Sequence, residues 1–278
     1  MSAINALVQR SSVHMITDGL SYHGGIPFSV DDQKTHLLST WRAALAATGP
    51  ALLGGFLANE IPRQFRSFDH VVSEGEQAIE RLFRDYVNKY RDGDAVSSLV
   101  LIGWHNGEDR PMALAMDMAT EGEKLKWVEQ HGTGSSPEHR FKLMELKEIA
   151  MPPATLSQLQ AAGYTFRDYD AMDPETDLLH LLEIQRRILV DGHYYVGGQA
   201  LLTSIDKTGV RQRIIHRWDE DEPGKPITPR SINWKTWLAD HSRDRTERTL
   251  EAAGINLSGL SRLQRERMWK KAKKGTLR

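Results

Sequence analysis

Ser2 stands directly behind the initiator methionine. Once Met1 is removed, that residue carries both a hydroxyl and a free α-amine, so a nucleophile and a general base share one position. A serine hydroxyl is a poor nucleophile until a base takes its proton. An α-amine with a pKa of about 7.7–8 can be that base, directly or through one water. Other chemistries find less to work with. The chain has no cysteine, which removes disulfides, thiolate metal sites and thiol catalysis together. His14, His23, His36, His131, His139 and His193 are scattered, without HExxH or paired His/carboxylate spacing, so no metal and no cofactor is expected. Gly132-Thr133-Gly134 is too short for a phosphate-cradling loop and lacks a following lysine. Glu145, Lys147 and Glu148 read as a solvated face.

The elements that must position Ser2 begin immediately after it. Ile4 to Val8 and Val13 to Thr17 are apolar and β-branched, with polar Gln9-Arg10-Ser11-Ser12 between them, which predicts a hairpin. A glycine- and proline-containing stretch from Gly19 to Pro27 reads as a loop. Lys34 to Leu38 and Ala43 to Ala47 predict a second hairpin, and Ala51 to Asn59 a small-residue helix. Ser67 is placed to cap a long helix to Tyr90, in which Val71, Ile79, Leu82, Phe83, Tyr86 and Tyr90 recur at helical spacing and form a core face. Strands are expected over Ser97–Trp104, Pro111–Met118 and around Leu125–Val128, helices over Thr155–Ala162 and Pro174–Leu189, and final strands over Val196–Ile205 and Arg211–Trp218. Strands grouped between helical pairs, without βαβ alternation, predict an α+β fold: a four-layer αββα sandwich of two antiparallel sheets.

Ser2, Asp18 and Lys34 are each sixteen residues apart. This spacing and the strand pattern around it resemble the proteasome β-subunits and the HslV peptidase, a family of N-terminal nucleophile hydrolases. Ala46-Ala47-Thr48-Gly49 is similar to the family's segment at the oxyanion site, with about one extra residue in the hairpin. Gly132-Thr133-Gly134-Ser135 is similar to its Gly-Ser-Gly-Ser turn. The resemblance covers roughly residues 2 to 218. It implies that Ser2 is the nucleophile and that Lys34 adds positive charge beside its Oγ. Asp18 would pair with Lys34, the N–H of Gly49 (or of Thr48, if the register differs) would hold the oxyanion, and Ser135 would support the amine. The reaction implied is hydrolysis of a peptide or amide substrate through an acyl-enzyme, in a homo-oligomer. One segment departs from the family pattern of Asp, two residues, then Ser-Gly-Gly. Here Gly197-Gly198 follows Val196, His193 stands at the Asp position, and Asp191 lies two residues earlier.

The acidic, proline-containing stretch Asp219 to Pro226 predicts a boundary, with a sandwich domain over 1–218 and a helical, basic C-terminal extension over 219–278. Within that extension Trp234 to Ala253 reads as helical. Arg262–Arg278 concentrates basic residues against a single acid, Glu266. It would suit a protein or nucleic-acid partner, or simply a solvated terminus. The whole chain has a net charge of −1, so no bulk bias toward nucleic acid or membrane is present. No apolar run reaches bilayer length and no basic leader precedes an apolar stretch, so a cytoplasmic protein is expected, or a virion-associated one if it comes from a phage. The alternative function on the same fold is a catalytically silent structural or assembly protein.

Overall fold

The structure, a computed structural model, describes residues 2–38, 40–90, 95–120, 140–165, 167–241, 261, 264, 267 and 268. The strand expected around Leu125–Val128, the turn carrying Ser135 and most of the Arg262–Arg278 tail lie outside these residues. The chain divides into two units, Met1–Pro229 and Arg230–Arg278.

In the first unit, β1 (Ile4–Val8) and β2 (Ser12–Asp18) form the expected hairpin, with Ile4 opposite Thr17 and Val8 opposite Val13. β3 (Ser21–His23) and β4 (Ile26–Ser29) make a small hairpin of their own inside the stretch that reads as loop. Its two-residue turn is Gly24-Gly25, both at positive φ (57° and 79°), the conformation that tight hairpins require and glycine supplies without strain. β5 (Thr35–Leu38), β6 (Ala43–Ala47), β7 (Val96–His105) and β8 (Arg110–Ala119) follow the predicted pattern. β9 (Met144–Glu145) and β10 (Glu148–Met151) are short strands. Glu145 and Lys147 are exposed, in line with the expected solvated face, while Glu148 is half-buried on β10, which pairs with β1. β11 (Gln199–Asp206) and β12 (Gly209–Arg217) complete the set. One antiparallel sheet has the order β10-β1-β2-β11-β12 and a second the order β5-β6-β7-β8-β9.

Side-chain size along the strands decides how the layers stack. Ala44, Ala46, Ala113 and Ala115 of the second sheet share one core with Ile4, Ala6, Val13 and Met15 of the first, so the two sheets face each other. The alternate positions Leu45, Leu99, Leu101, Met112 and Leu114 face the other way. There they meet α1 (Leu53–Gln64) and α2 (Phe68–Tyr90), through Leu57, Ile61, Ile79 and Phe83. A period of two with both faces apolar gives near-continuous hydrophobic strands, as in any sheet covered on both sides. Ser67 Oγ accepts the His70 N–H at 3.2 Å and caps α2 as expected. α3 (Leu156–Ala161) starts in a capping box at Thr155 and Gln158. α4 (Pro174–Gln185) is buried along almost its whole length and packs on β1, β2 and β11. The layers are therefore helix, sheet, sheet, helix, in a mixed α+β fold with antiparallel sheets.

The boundary falls at Pro229/Arg230, eleven residues beyond the predicted 218/219. The acidic stretch reads as a linker, yet it is strapped to the sandwich. Asp221 is buried against Arg186, and Gly224 N–H donates to Pro27 O at 2.7 Å. In the second unit, residues 234–241 form α5, where Asn233 Oδ1 accepts the Thr236 N–H and Trp237 stacks on His241 at 3.7 Å. The rest of the helix expected to Ala253 lies outside the described residues.

Candidate active site

Four chain segments end at the same edge of the sandwich. β1 begins there with Ser2-Ala3, β2 ends there in Asp18, β5 begins just after Lys34, and β6 runs out into Thr48-Gly49. Asp18 is fully buried and its carboxylate is shared. Oδ1 accepts the Ala3 N–H at 2.9 Å and the Lys34 ammonium at 2.7 Å, while Oδ2 accepts the Leu20 N–H at 3.2 Å. One oxygen atom thus ties the lysine to the residue next to Ser2. Lys34 keeps 10 % of its side chain exposed, and that opening faces a cavity of about 600 Å³. Ser2, Lys34 and Gly49 all line this cavity, together with Asp32, His36 and the apolar Leu20, Tyr22, Phe28 and Leu52.

Gly49 sits at φ 90°, and a Cβ there would lie 2.1 Å from Val96 O, so no other residue fits. The turn is fixed from behind. Thr48 N–H donates to Ser98 O, Ser98 N–H donates to Thr48 Oγ1 at 2.8 Å, and Ser97 Oγ donates to Thr48 O at 2.7 Å. Because Thr48 N–H is committed to β7, Gly49 N–H is left as the donor without a partner among the described residues. Burial lowers the pKa of His36, so a neutral imidazole lines the cavity at neutral pH.

The structure therefore brings Ser2, Asp18, Lys34 and Gly49 together, and Ser135 lies outside the described residues. Among the described residues no group of three or more His, Cys, Asp or Glu side chains is arranged to hold a metal, and no helix is long and apolar enough to cross a membrane. The His193 ring packs against Gly25 of the β3–β4 turn, 6.0 Å from the Tyr195 ring.

Two groups escaped the sequence reading. One is Tyr22, whose hydroxyl is buried without a partner among the described residues although the residue lines the cavity. The other is the Arg186–Asp221 pair behind Gly197-Gly198. Its only signals were an arginine closing an apolar helix and an acidic run that looked like a linker. Comparison with known proteins finds no family model and no curated protein that matches this chain.

Proposed function

We propose that this protein is a proteasome-like N-terminal nucleophile hydrolase that cleaves peptide or amide bonds with Ser2 after removal of Met1. The observation that carries the reading is the double use of Asp18 Oδ1, which holds Lys34 Nζ and the backbone beside Ser2 on one atom. In this reading Ser2 Oγ attacks the substrate carbonyl carbon and its proton passes to the α-amine, directly or through one water. The positive charge of Lys34 favours the developing alkoxide, and Gly49 N–H donates to the carbonyl oxygen as it becomes negative. Collapse expels the leaving amine, which takes the proton, and leaves an ester on Ser2. Water then attacks that ester with the α-amine again as base, releasing the acid and restoring the hydroxyl.

The test is direct. Intact mass should show the loss of Met1, and an electrophile such as a peptide vinyl sulfone or a β-lactone should add once, at Ser2. Ser2→Ala should abolish the adduct. Retained Met1, or a Met1-free protein that never labels, overturns the reading. The second reading, a silent structural or assembly protein, draws on Phe28 and Leu52, each 61 % exposed at the cavity mouth and suited to bury against another copy of the chain. It expects an oligomer that forms equally well with Ser2→Ala and carries no labelling activity.

A further inference from the structure

The Arg186–Asp221 pair lies away from the reacting residues but grips the segment that supports them. Arg186, just past the end of α4, is fully buried. Its guanidinium fork meets Asp221 twice, Nη1 to Oδ2 and Nη2 to Oδ1, both at 2.6 Å, and lies 4.9 Å over the Trp218 ring. Asp221 Oδ2 also accepts the Gly198 N–H at 2.7 Å, and Arg186 Nη1 donates to Val196 O at 2.9 Å. The pair thus holds the backbone on both sides of Gly197. A Cβ at Gly197 would lie 2.1 Å from Arg186 Nη1 and 2.3 Å from Asp221 Oδ2, so the ion pair is packed directly on the peptide. From the other side, Gly198 at φ 74° leaves no room for a Cβ against Val30 O.

Hydrogen bonds continue from there to the site. Gly19 N–H donates to Gly197 O at 3.0 Å, and Gly19 O accepts the Asp32 N–H at 3.0 Å. Gly19 follows Asp18 directly, and Asp32 stands two residues before Lys34. One unbroken run therefore reaches both members of the Asp18–Lys34 pair. We infer that Asp221, clamped by Arg186, is a positioning residue that sets the Asp18–Lys34 pair beside Ser2. This rests on the reading of Ser2 and Lys34 as the reacting groups. A bidentate, desolvated arginine–carboxylate pair is suited to such a role because its geometry is fixed in two directions at once.

The experiment reads the clamp without needing turnover. Trace acetylation by acetic anhydride reports the reactivity of Lys34 against exposed Lys225, and amide hydrogen exchange reports the backbone over residues 18–20 and 197–199. In Asp221→Asn, exchange over both segments should rise about tenfold and Lys34 should acetylate several-fold faster, while exchange over the β7 core at 99–102 stays as in the wild type. Glu220→Gln is the comparator. Glu220 touches Arg186 Nη2 at 3.3 Å but has no bond to Gly198, so both readouts should stay at wild-type values. Arg186→Lys, which keeps the charge but loses the two-pronged grip, serves as the second variant should Asp221→Asn not fold, and should move the same two readouts.

Where Ser2 labels in the wild type, its acylation rate should fall about tenfold in Asp221→Asn and stay unchanged in Glu220→Gln, as expected for a displaced reacting pair. A lower melting temperature with Lys34 reactivity and exchange at 18–20 unchanged would overturn the inference and leave the pair a purely structural one. Absence of Ser2 labelling in the wild type, together with the Lys34 response, would overturn the hydrolase reading while the clamp stands.

Discussion

The molecule buries two ion pairs close to the same edge, and they are built differently. Arg186 and Asp221 are 0 % and 1 % exposed, joined by two parallel bonds and sealed under Trp218. Lys34 and Asp18 are joined by one bond, and Lys34 opens onto a cavity. A guanidinium fork is planar and permanently charged, so it fixes a carboxylate and cannot give up its proton. An ammonium on a flexible stem is a movable point charge that can approach a reacting atom. Asp18 is also supported by two backbone N–H groups that would remain if the lysine were removed, whereas the second acid at Arg186 among the described residues, Glu220, is longer at 3.3 Å and 22 % exposed. The contrast teaches that burial of an ion pair is not by itself a sign of chemistry. The pair that opens onto the cavity lined by Ser2 is the candidate for reaction, and the closed pair is the candidate for holding it in place.

The strongest way to break this contrast is Lys34→Ala. It should lower the rate of Ser2 acylation by about 10²–10⁴, the range expected for loss of a positioned charge or proton-handling group, while the protein stays folded by circular dichroism. An equal rate in the variant would remove Lys34 from the site. Next in size is Asp221→Ala, which leaves Arg186 buried without its main partner and should cost about 3–5 kcal/mol in urea denaturation. Lys34→Met, measured the same way, should cost only about 1–3 kcal/mol, because Asp18 keeps its backbone donors. If the two costs come out equal, the structural difference between the pairs has no energetic meaning.

Acid sensitivity brings in a third buried group, on the same strand as Asp18. His14 hydrogen-bonds Ser12 Oγ and Ser204 Oγ, both at 2.9 Å, and its pKa is lowered to about 4, first by burial and then by Arg211, against the opposing charges of Asp173 and Asp206. An unfolded histidine titrates near 6.5. Between pH 6.5 and 4 the unfolded chain therefore binds a proton that the folded chain refuses. Stability should be full above pH 6.5 and decline as pH falls through that window, by on the order of 3 kcal/mol at most. His14→Gln should flatten this decline; an unchanged profile would remove His14 as its cause. The smallest effect is expected from an exposed pair. Arg63→Ala, which removes the bond to Glu60 on the surface of α1, should change stability by less than about 0.5 kcal/mol.

Much of the fold was legible because it rests on local periodicity. The alternation in β7 and β8, the helical spacing of Val71, Ile79 and Phe83, and the Ser67 cap all follow from short-range geometry. The β3–β4 hairpin was missed although its Gly24-Gly25 turn is a recognised signal, because strands of three and four residues carry too little alternation to stand out. β10 was missed for the opposite reason: Glu148-Ile149-Ala150-Met151 becomes a strand only because β1 offers an edge to pair with.

At the site, residue types and their order can be read directly along the chain: a hydroxyl after Met1, a carboxylate and an amine at equal offsets, and a glycine at the end of a strand. Ser2 and Asp18 belong to one sheet and Lys34 and Gly49 flank strands of the other, so it is the facing of the two sheets that brings them together. Tertiary structure alone decided which backbone N–H remains open at Thr48-Gly49, since that depends on the partner Ser98 of another strand. It also decided that Asp221, distant in sequence and set in an acidic run, turns inward to hold Gly197-Gly198. A carboxylate facing solvent and one facing a buried arginine look the same in sequence. They differ only in what the fold places opposite them, and desolvation then makes that difference large.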